Sequence, residues 1–172
     1  MIQRSMILFT MTALFGLAMW PGASVSQQKS LKEQLVGTWI IVSVDNVRDD
    51  GSKAELFGPN PKGILIYTSD GHFTLVNMRG DLPKFAAKNR DQGTSEENKA
   101  VVQGSIAYFG TWTVNEADKV IAAKIAGSTY PNFIGGPDQK RLITSITADE
   151  LTFINPAASA GGKLQLVWKR VK

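Results

Sequence analysis

The sequence has no cysteine and only one histidine, His72, among its 172 residues. Without cysteine the chain can form no disulfide, has no thiolate nucleophile and cannot carry a lipid on a cysteine. Zinc sites in proteins need several histidine or cysteine ligands, so this scarcity excludes a site of that type. The glycine-rich phosphate loops and the Gly-x-Ser-x-Gly motif of hydrolases are also missing. We therefore expect no metal ion and no cofactor.

Concentrated charge of one sign is missing as well. The chain has 19 basic and 15 acidic residues, a net charge of +4, and no basic run is longer than Lys169-Arg170. A nucleic-acid-binding surface needs a basic patch or stripe, so we expect no nucleic-acid partner.

No group of titratable side chains is spaced in a way that identifies a catalytic site. His72 directly follows the predicted turn Ser69-Asp70-Gly71, where exposure to solvent is a commoner role for histidine than catalysis. The sequence by itself assigns no catalytic residue.

The first 26 residues differ from the rest. Arg4 is their only charged residue, an apolar run covers residues 6–20, and Pro21-Gly22 interrupts it. This layout is typical of a secretory signal peptide. The alternative is an uncleaved membrane anchor, but the run is shorter than the roughly 20 residues of a spanning helix.

Small residues at Ser24 and Ser26 fit a signal peptidase site, with cleavage after Ser26, or after Ala23 as the alternative. We expect residues 1–26 to be a signal peptide and residues 27–172 to form the mature domain. The mature protein is expected in the periplasm or outside the cell, without a stable membrane anchor. Loss of Arg4 would leave 18 basic residues and a net charge of +3.

The remainder of the chain shows the alternating apolar pattern of β-strands, rich in β-branched and aromatic residues. The turn at Asp70-Gly71 is typical of a tight hairpin. Strands joined mostly by short turns predict an antiparallel meander, which closes as a sandwich or a barrel. The eight predicted strands cover residues 38–47, 63–68, 72–79, 105–114, 119–126, 141–147, 151–155 and 163–171.

Two segments have helical signals. Residues 27–35 suit one or two turns before the first strand, and Thr94 with Glu97 has the spacing of a capping box, which predicts a helix over 95–102. That helix lies in the long connection 80–103, which either covers a cavity or is a mobile loop on the surface.

Alternation predicts which side chains point inward. On the strand from Ser105, Tyr108 and Trp112 share the heavier face, and on the strand from His72 the alternating set is Phe73, Leu75 and Asn77. An eight-stranded barrel has room for packed side chains or for one small ligand, and composition does not choose between them. Tyr130 lies in a Gly- and Pro-rich connection that either lines an entrance or plugs the barrel end.

Five ordered blocks together resemble the bacterial and fungal family of lipocalin-like domain proteins, over about residues 35–171. The blocks are "LVGTWIIVSV", "FGPNPKGILIYTSDGHF", "SIAYFGTWTV", "GSTYPNFIGGPDQKR" and "LVWKR". The resemblance implies an all-β fold, an eight-stranded antiparallel calycin-type barrel with a short N-terminal helical turn and one helical insertion.

The resemblance also implies a structural role for three residues. In the wider superfamily a Gly-x-Trp on the first strand closes one barrel end, and a basic residue after the last strand packs over the indole. Here these residues are Gly37, Trp39 and Arg170, with Trp168 on the same face as Arg170. We expect them to stabilise the fold rather than to bind a ligand.

Three functions remain open at this point. The first is an exported barrel that binds a small hydrophobic molecule. The second is an isomerase or cyclase with Tyr108, Tyr130 or His72 as proton donor, and the third is a filled barrel that binds another protein. The sequence does not indicate an oligomeric state. The candidate ligand-binding residues are Phe73, Leu75, Asn77, Tyr108, Trp112 and Tyr130.

Overall fold

A computed structural model describes residues 29–172 of the chain. The predicted signal peptide, residues 1–26, lies outside the described residues. Within residues 29–172, none of the helices has the length and apolar character needed to cross a membrane.

The described residues form one antiparallel sheet of nine strands that closes on itself. Neighbours in the sheet follow the order β2, β1, β3, β4, β5, β6, β7, β8, β9, and β1 also pairs with β9. Eight strands therefore form a closed barrel, and the short β2 pairs alongside the last residues of β1. The strands are β1 (Gly37–Val47), β2 (Lys53–Glu55), β3 (Lys62–Tyr67), β4 (His72–Met78), β5 (Ser105–Asn115), β6 (Val120–Ser128), β7 (Gln139–Ile146), β8 (Glu150–Asn155) and β9 (Lys163–Arg170).

The eight barrel strands agree with the eight predicted from alternation, to within two residues at nearly every boundary. The ninth strand, β2, was not predicted from the sequence pattern. Its three residues, Lys-Ala-Glu, show no apolar alternation, and they pair with Asp45, Asn46 and Val47 at the end of β1. Such a short polar strand forms because its partner offers unpaired backbone groups, and that is a tertiary effect.

The two helices lie at opposite ends of the barrel. Helix α1 (Leu31–Leu35) begins at a capping box formed by Ser30 and Glu33, and helix α2 (Ser95–Gly104) begins at the predicted box of Thr94 and Glu97. Helix α2 ends at Gly104 and β5 begins at Ser105, so the C-terminal end of the helix lies at the start of that strand.

The connections divide the barrel into two ends. The closed end carries α1 and the short turns 68–71, 116–119 and 147–149. The open end carries the longer connections 48–61, 79–104, 129–138 and 156–162, including α2.

Inside the barrel the predicted alternation is confirmed. Tyr108 and Trp112 on β5 are buried while Phe109 between them is 56% exposed, and Phe73, Leu75 and Asn77 on β4 are all buried. The predicted hairpin between β3 and β4 is also formed, with Gly71 at a φ of 90°. Strand pairing and inward packing thus follow directly from the period of two.

Candidate functional site

A cavity of about 460 Å³ opens at the open end of the barrel. Its walls are mostly apolar inward residues of the strands, and its mouth is formed by the open-end connections. The apolar strand residues are Val44, Leu75, Ile106, Leu164 and Leu166. The mouth residues include Leu56, Phe57, Val102, Tyr130, Phe133 and Ala158.

Buried polar side chains are concentrated in this cavity. Four polar or charged residues among 29–172 are buried, and Asn77, Arg141 and Asn155 of these line the cavity. The fourth is Thr152. Burying a polar group without a hydrogen-bond partner is costly. The concentration of buried polar residues at one place therefore marks the part of the interior best suited to specific polar contacts.

Arg141 is the centre of this polar group and is only 3% exposed. It extends inward from β7, where alternation places it on the same face as Ile143. Its Nη1 donates to the Lys140 carbonyl oxygen at 2.7 Å and to Asn155 Oδ1 at 3.2 Å. Its Nη2 donates to the Tyr108 hydroxyl at 2.9 Å. The guanidinium therefore links β7, β8 and β5 across the barrel interior.

Asn77 lies on the opposite wall, on β4, and is 2% exposed. Its Oδ1 has no hydrogen-bond partner among the described residues. That oxygen packs against Gly63 on β3, where an added Cβ would lie 2.1 Å from it. Asn77 thus brings to the cavity wall an amide oxygen that no described residue uses as an acceptor.

A layer of aromatic rings lies between the cavity and the closed end. The Tyr67 ring is 4.6 Å from that of Trp112 and 6.2 Å from that of Phe73, and Phe73 is 6.0 Å from Tyr108, measured between ring centroids. Burial raises the pKa of Tyr67 well above its ordinary value, and the charge of Arg141 partly opposes that rise. Tyr67 is thus a neutral member of the aromatic layer below the cavity.

The six predicted ligand-binding residues divide into two groups. Leu75, Asn77, Tyr108 and Tyr130 line the cavity, whereas Phe73 and Trp112 do not. Phe73 belongs to the aromatic layer below it, and Trp112 donates from Nε1 to the Thr68 carbonyl oxygen at 3.2 Å, in a closed-end turn. The predicted inward direction of Phe73 and Trp112 is right, but their depth in the barrel places them in the packed half.

The predicted closing residues lie together at the other end. The Cζ of Arg170 lies 3.9 Å from the centroid of the Trp39 ring, and Trp39 is fully buried with its Nε1 donating to the Leu35 carbonyl oxygen at 2.9 Å. Gly37 has a φ of 134°, and a Cβ there would lie 2.7 Å from Arg170 Nη1.

Backbone carbonyl groups hold the Arg170 side chain. Its guanidinium donates to Ala148 at 2.7 Å, to Val36 at 2.9 Å and to Gln34. Burial lowers the pKa of Arg170, and nearby Asp149 partly compensates. These contacts tie α1 and the last turn of the barrel to β9.

His72 is the first residue of β4, next to the closed-end turn 68–71, and its Nδ1 is 3.2 Å from Asp70 Oδ1. About two thirds of its side chain is exposed, and no residue of that turn lines the cavity. Of the three candidate proton donors, only Tyr108 and Tyr130 lie at the cavity.

The long connection before β5 contributes to the mouth through the last turn of α2. Val102 and Gln103 line the cavity, although the Val102 side chain is 77% exposed. The connection 129–138 contributes Tyr130 and Phe133, whose rings meet edge to face at 5.1 Å. Both segments therefore border the entrance, as well as covering part of the barrel end.

Arg141 and Asn155 are the buried polar residues of the cavity that sequence reasoning missed. Arg141 appeared only as the first residue of a predicted strand, next to Lys140, and seemed to be one of many scattered basic residues. The available signal was its parity with Ile143, which implies a charged side chain on an inward face.

The sequence profile of the lipocalin-like domain family matches residues 36–171. Among solved structures, a lipocalin-like protein from Bacteroides uniformis is similar, at 12% sequence identity and a TM-score of 0.44. That match covers 80% of this chain and 99% of the other. Among curated proteins, no relative matches the chain. The profile spans the barrel from the residue before β1 to the residue after β9, and the chain belongs to the lipocalin-like domain family.

Proposed function

We propose that the protein binds a small, largely apolar molecule in the cavity at the open end of the barrel. The observation that carries this proposal is the cavity itself, with a volume of about 460 Å³ and mainly apolar walls. Small-molecule sites usually have volumes of ~300–1,000 Å³, apolar walls and a few polar groups. A cavity of this size favours small-molecule binding over a filled barrel that binds only another protein.

The walls supply the driving force for such binding. Leu75, Leu164 and Leu166 are held in place by strand pairing, so a ligand meets a preformed apolar surface. Each Å² of apolar surface that the ligand removes from water contributes about 25 cal/mol. Because the strands are fixed before binding, little of this energy is spent on ordering the protein.

Titration with uncharged, environment-sensitive dyes tests the proposal, with a panel of fatty acids and terpenoids as competitors. We expect saturable fluorescence enhancement with one site per chain, and displacement by at least one competitor. Calorimetry on the competitor provides the stoichiometry independently of the dye.

Two tryptophan substitutions in the same connection locate the site. Ala158 lines the cavity and is partly buried, so Ala158→Trp should fill the mouth and weaken dye binding about tenfold or more. Ala157 is exposed and lies outside this cavity, so Ala157→Trp is the matched control and should bind like the unsubstituted protein. Absence of saturable binding by every compound, or equal effects of the two substitutions, would contradict the proposal.

We also propose that the protein acts outside the cytoplasm, as a carrier or scavenger. The support is the signal-peptide layout of residues 1–26. Expression of the full chain in a bacterial host, followed by fractionation and mass spectrometry, should give an exported protein that begins at Gln27. Recovery of the uncleaved chain from the cytoplasm would contradict export and would leave the cavity proposal unaffected.

A further inference from the structure

One charged group in the cavity has no counter-ion. Arg141 is the only charged residue among those of residues 29–172 that line the cavity. None of the ion pairs formed within residues 29–172 includes it. The preceding residues, 1–28, contain no aspartate or glutamate. No acidic side chain described by the structure, or present in the leader sequence, therefore neutralises this guanidinium.

Such burial is unusual, because a guanidinium stays charged in proteins and a buried charge is stable only when it is paired and hydrogen-bonded. The partners of Arg141 are all neutral: a backbone carbonyl, an amide oxygen and a hydroxyl. A guanidinium has five N–H donors. Three hydrogen bonds leave two of them uncommitted within the described part of the chain.

Of the two side chains that bond to Arg141, one brings a free donor and the other has its acceptor oxygen already in use. The Tyr108 oxygen accepts from Arg141, so its own hydroxyl proton is available to another acceptor. Asn77, which also lines the cavity, has its Oδ1 packed against Gly63 without a hydrogen-bond partner among the described residues. Asn155 Oδ1 already accepts from Arg141 and from the Ala157 N–H. The cavity thus combines one positive charge with unused N–H and O–H donors.

We propose that the cavity selects an amphiphile with a single carboxylate, which pairs with Arg141 and accepts from the Tyr108 hydroxyl. This inference rests on the proposed function, since it specifies the class of ligand that the same cavity takes. A planar carboxylate matches the fork of N–H donors on a guanidinium. A doubly charged phosphate would bring one negative charge more than the single cation can neutralise.

The arrangement also sets the direction in which the ligand lies. Arg141 donates to Tyr108, whose ring packs against Phe73 in the aromatic layer below the cavity. The mouth is lined by apolar residues such as Val102 and Leu56, together with polar ones such as Gln103 and Thr129. The carboxylate lies at the floor and the apolar body extends toward α2. A ligand whose carboxylate pointed outward would leave the buried guanidinium unpaired.

The first test uses the unsubstituted protein and needs no variant. A dansyl-labelled long-chain fatty acid and its methyl ester share tail and fluorophore and differ in charge. At neutral pH the acid should bind about tenfold or more tightly, as expected for a charge-assisted hydrogen bond. The ratio should disappear as the ligand carboxyl protonates, near its ordinary pKa of roughly 4–5, because the neutral acid brings no charge to the guanidinium.

Substitution identifies the residues. Arg141→Met should weaken binding of the acid by about 10- to 100-fold and change binding of the ester by less than about threefold. Tyr108→Phe should give a smaller loss, again confined to the acid. Arg141→Lys keeps the charge without the planar fork, so the acid should bind with intermediate affinity. If Arg141→Met does not fold, the acid-to-ester ratio of the unsubstituted protein and of Tyr108→Phe decides the question.

The outcomes separate this inference from the proposed function. Equal affinities for acid and ester would overturn the carboxylate assignment while leaving the binding function intact. Absence of binding by both would overturn the function itself. An alkyl phosphate with the same tail that binds as tightly as the acid would overturn the restriction to a single carboxylate.

Discussion

At the closed end of the barrel the interior is filled by Trp39, Trp168 and Phe153, all fully buried. At the open end the same strands surround a cavity of about 460 Å³. The change occurs within single strands, since β4 places Phe73 in the aromatic layer and Asn77 at the cavity. Packed core and cavity wall are therefore different segments of the same strand.

The two inward-directed arginines show the same division. Arg170 lies over the Trp39 ring and donates to backbone carbonyls that belong to the barrel closure. Arg141 lies in a cavity and retains donors that no described residue accepts. One arginine is fully engaged in a packed structure, and the other keeps free donors in a cavity, where we propose that a ligand carboxylate binds.

The largest expected effect is on the closed end. Trp39→Ala should lower the free energy of unfolding by about 3–5 kcal/mol, because it removes a fully buried side chain and leaves a cavity. Tyr130→Ala, at the mouth, should cost about 1 kcal/mol, the value of its edge contact with Phe133. Urea unfolding followed by far-ultraviolet circular dichroism measures both. Equal losses would contradict the division between the two ends.

Replacement of each arginine by methionine tests the comparison directly. Arg170→Met should lower the free energy of unfolding by about 2 kcal/mol, since charged hydrogen bonds to backbone carbonyls and the contact with the Trp39 ring are lost. Arg141→Met should change it by less than about 1 kcal/mol, because exchange of a buried charge for an apolar side chain of similar volume is often neutral. Urea midpoints of the two variants, measured in parallel, give the answer. A loss at Arg141 as large as that at Arg170 would mean that Arg141 holds the fold together.

The smallest expected effect concerns the cover of the open end at low pH. The Glu97 carboxylate accepts from the Ala86 and Thr94 backbone N–H groups, each at 2.9 Å, and these bonds hold its pKa below the ordinary value of 4.5. The stabilisation is therefore complete above pH 4.5 and is lost as pH falls through the lowered pKa. In an NMR titration the Ala86 amide resonance should shift with a midpoint below 4.5.

Two variants control that titration. Glu97→Gln should abolish the shift, whereas Glu96→Gln, one residue away in the same turn of α2, should leave it unchanged. A midpoint at or above 4.5 would show that the two hydrogen bonds do not form in solution.

Much of the fold could be predicted because its determinants are local. Period two and turn residues such as Asp70-Gly71 indicate strands and hairpins without knowledge of the partner strands. The capping box at Thr94 and Glu97 likewise positions α2 within two residues at its end. The strand β2 could not be predicted from the sequence, because its residues form a strand only through their pairing with β1.

The cavity was less accessible to sequence reasoning. Parity indicates that Phe73 and Asn77 both point inward, but the depth of each side chain depends on the stagger between strands. The hydrogen bond from Arg141 to Tyr108 joins residues 33 positions apart on strands that are not neighbours. Nothing in the order of residues brings these two groups together.

The sequence alone determined an antiparallel barrel whose first and last strands bring Trp39 and Arg170 together at one end, because alternation, turns and the family pattern are properties of consecutive residues. Only the tertiary structure decided that the barrel is packed at one end and hollow at the other, and that Arg141 stands unpaired by any acid in the hollow part. The physical reason is that burial and electrostatic pairing depend on distances between strands, and those distances are fixed only when the sheet closes.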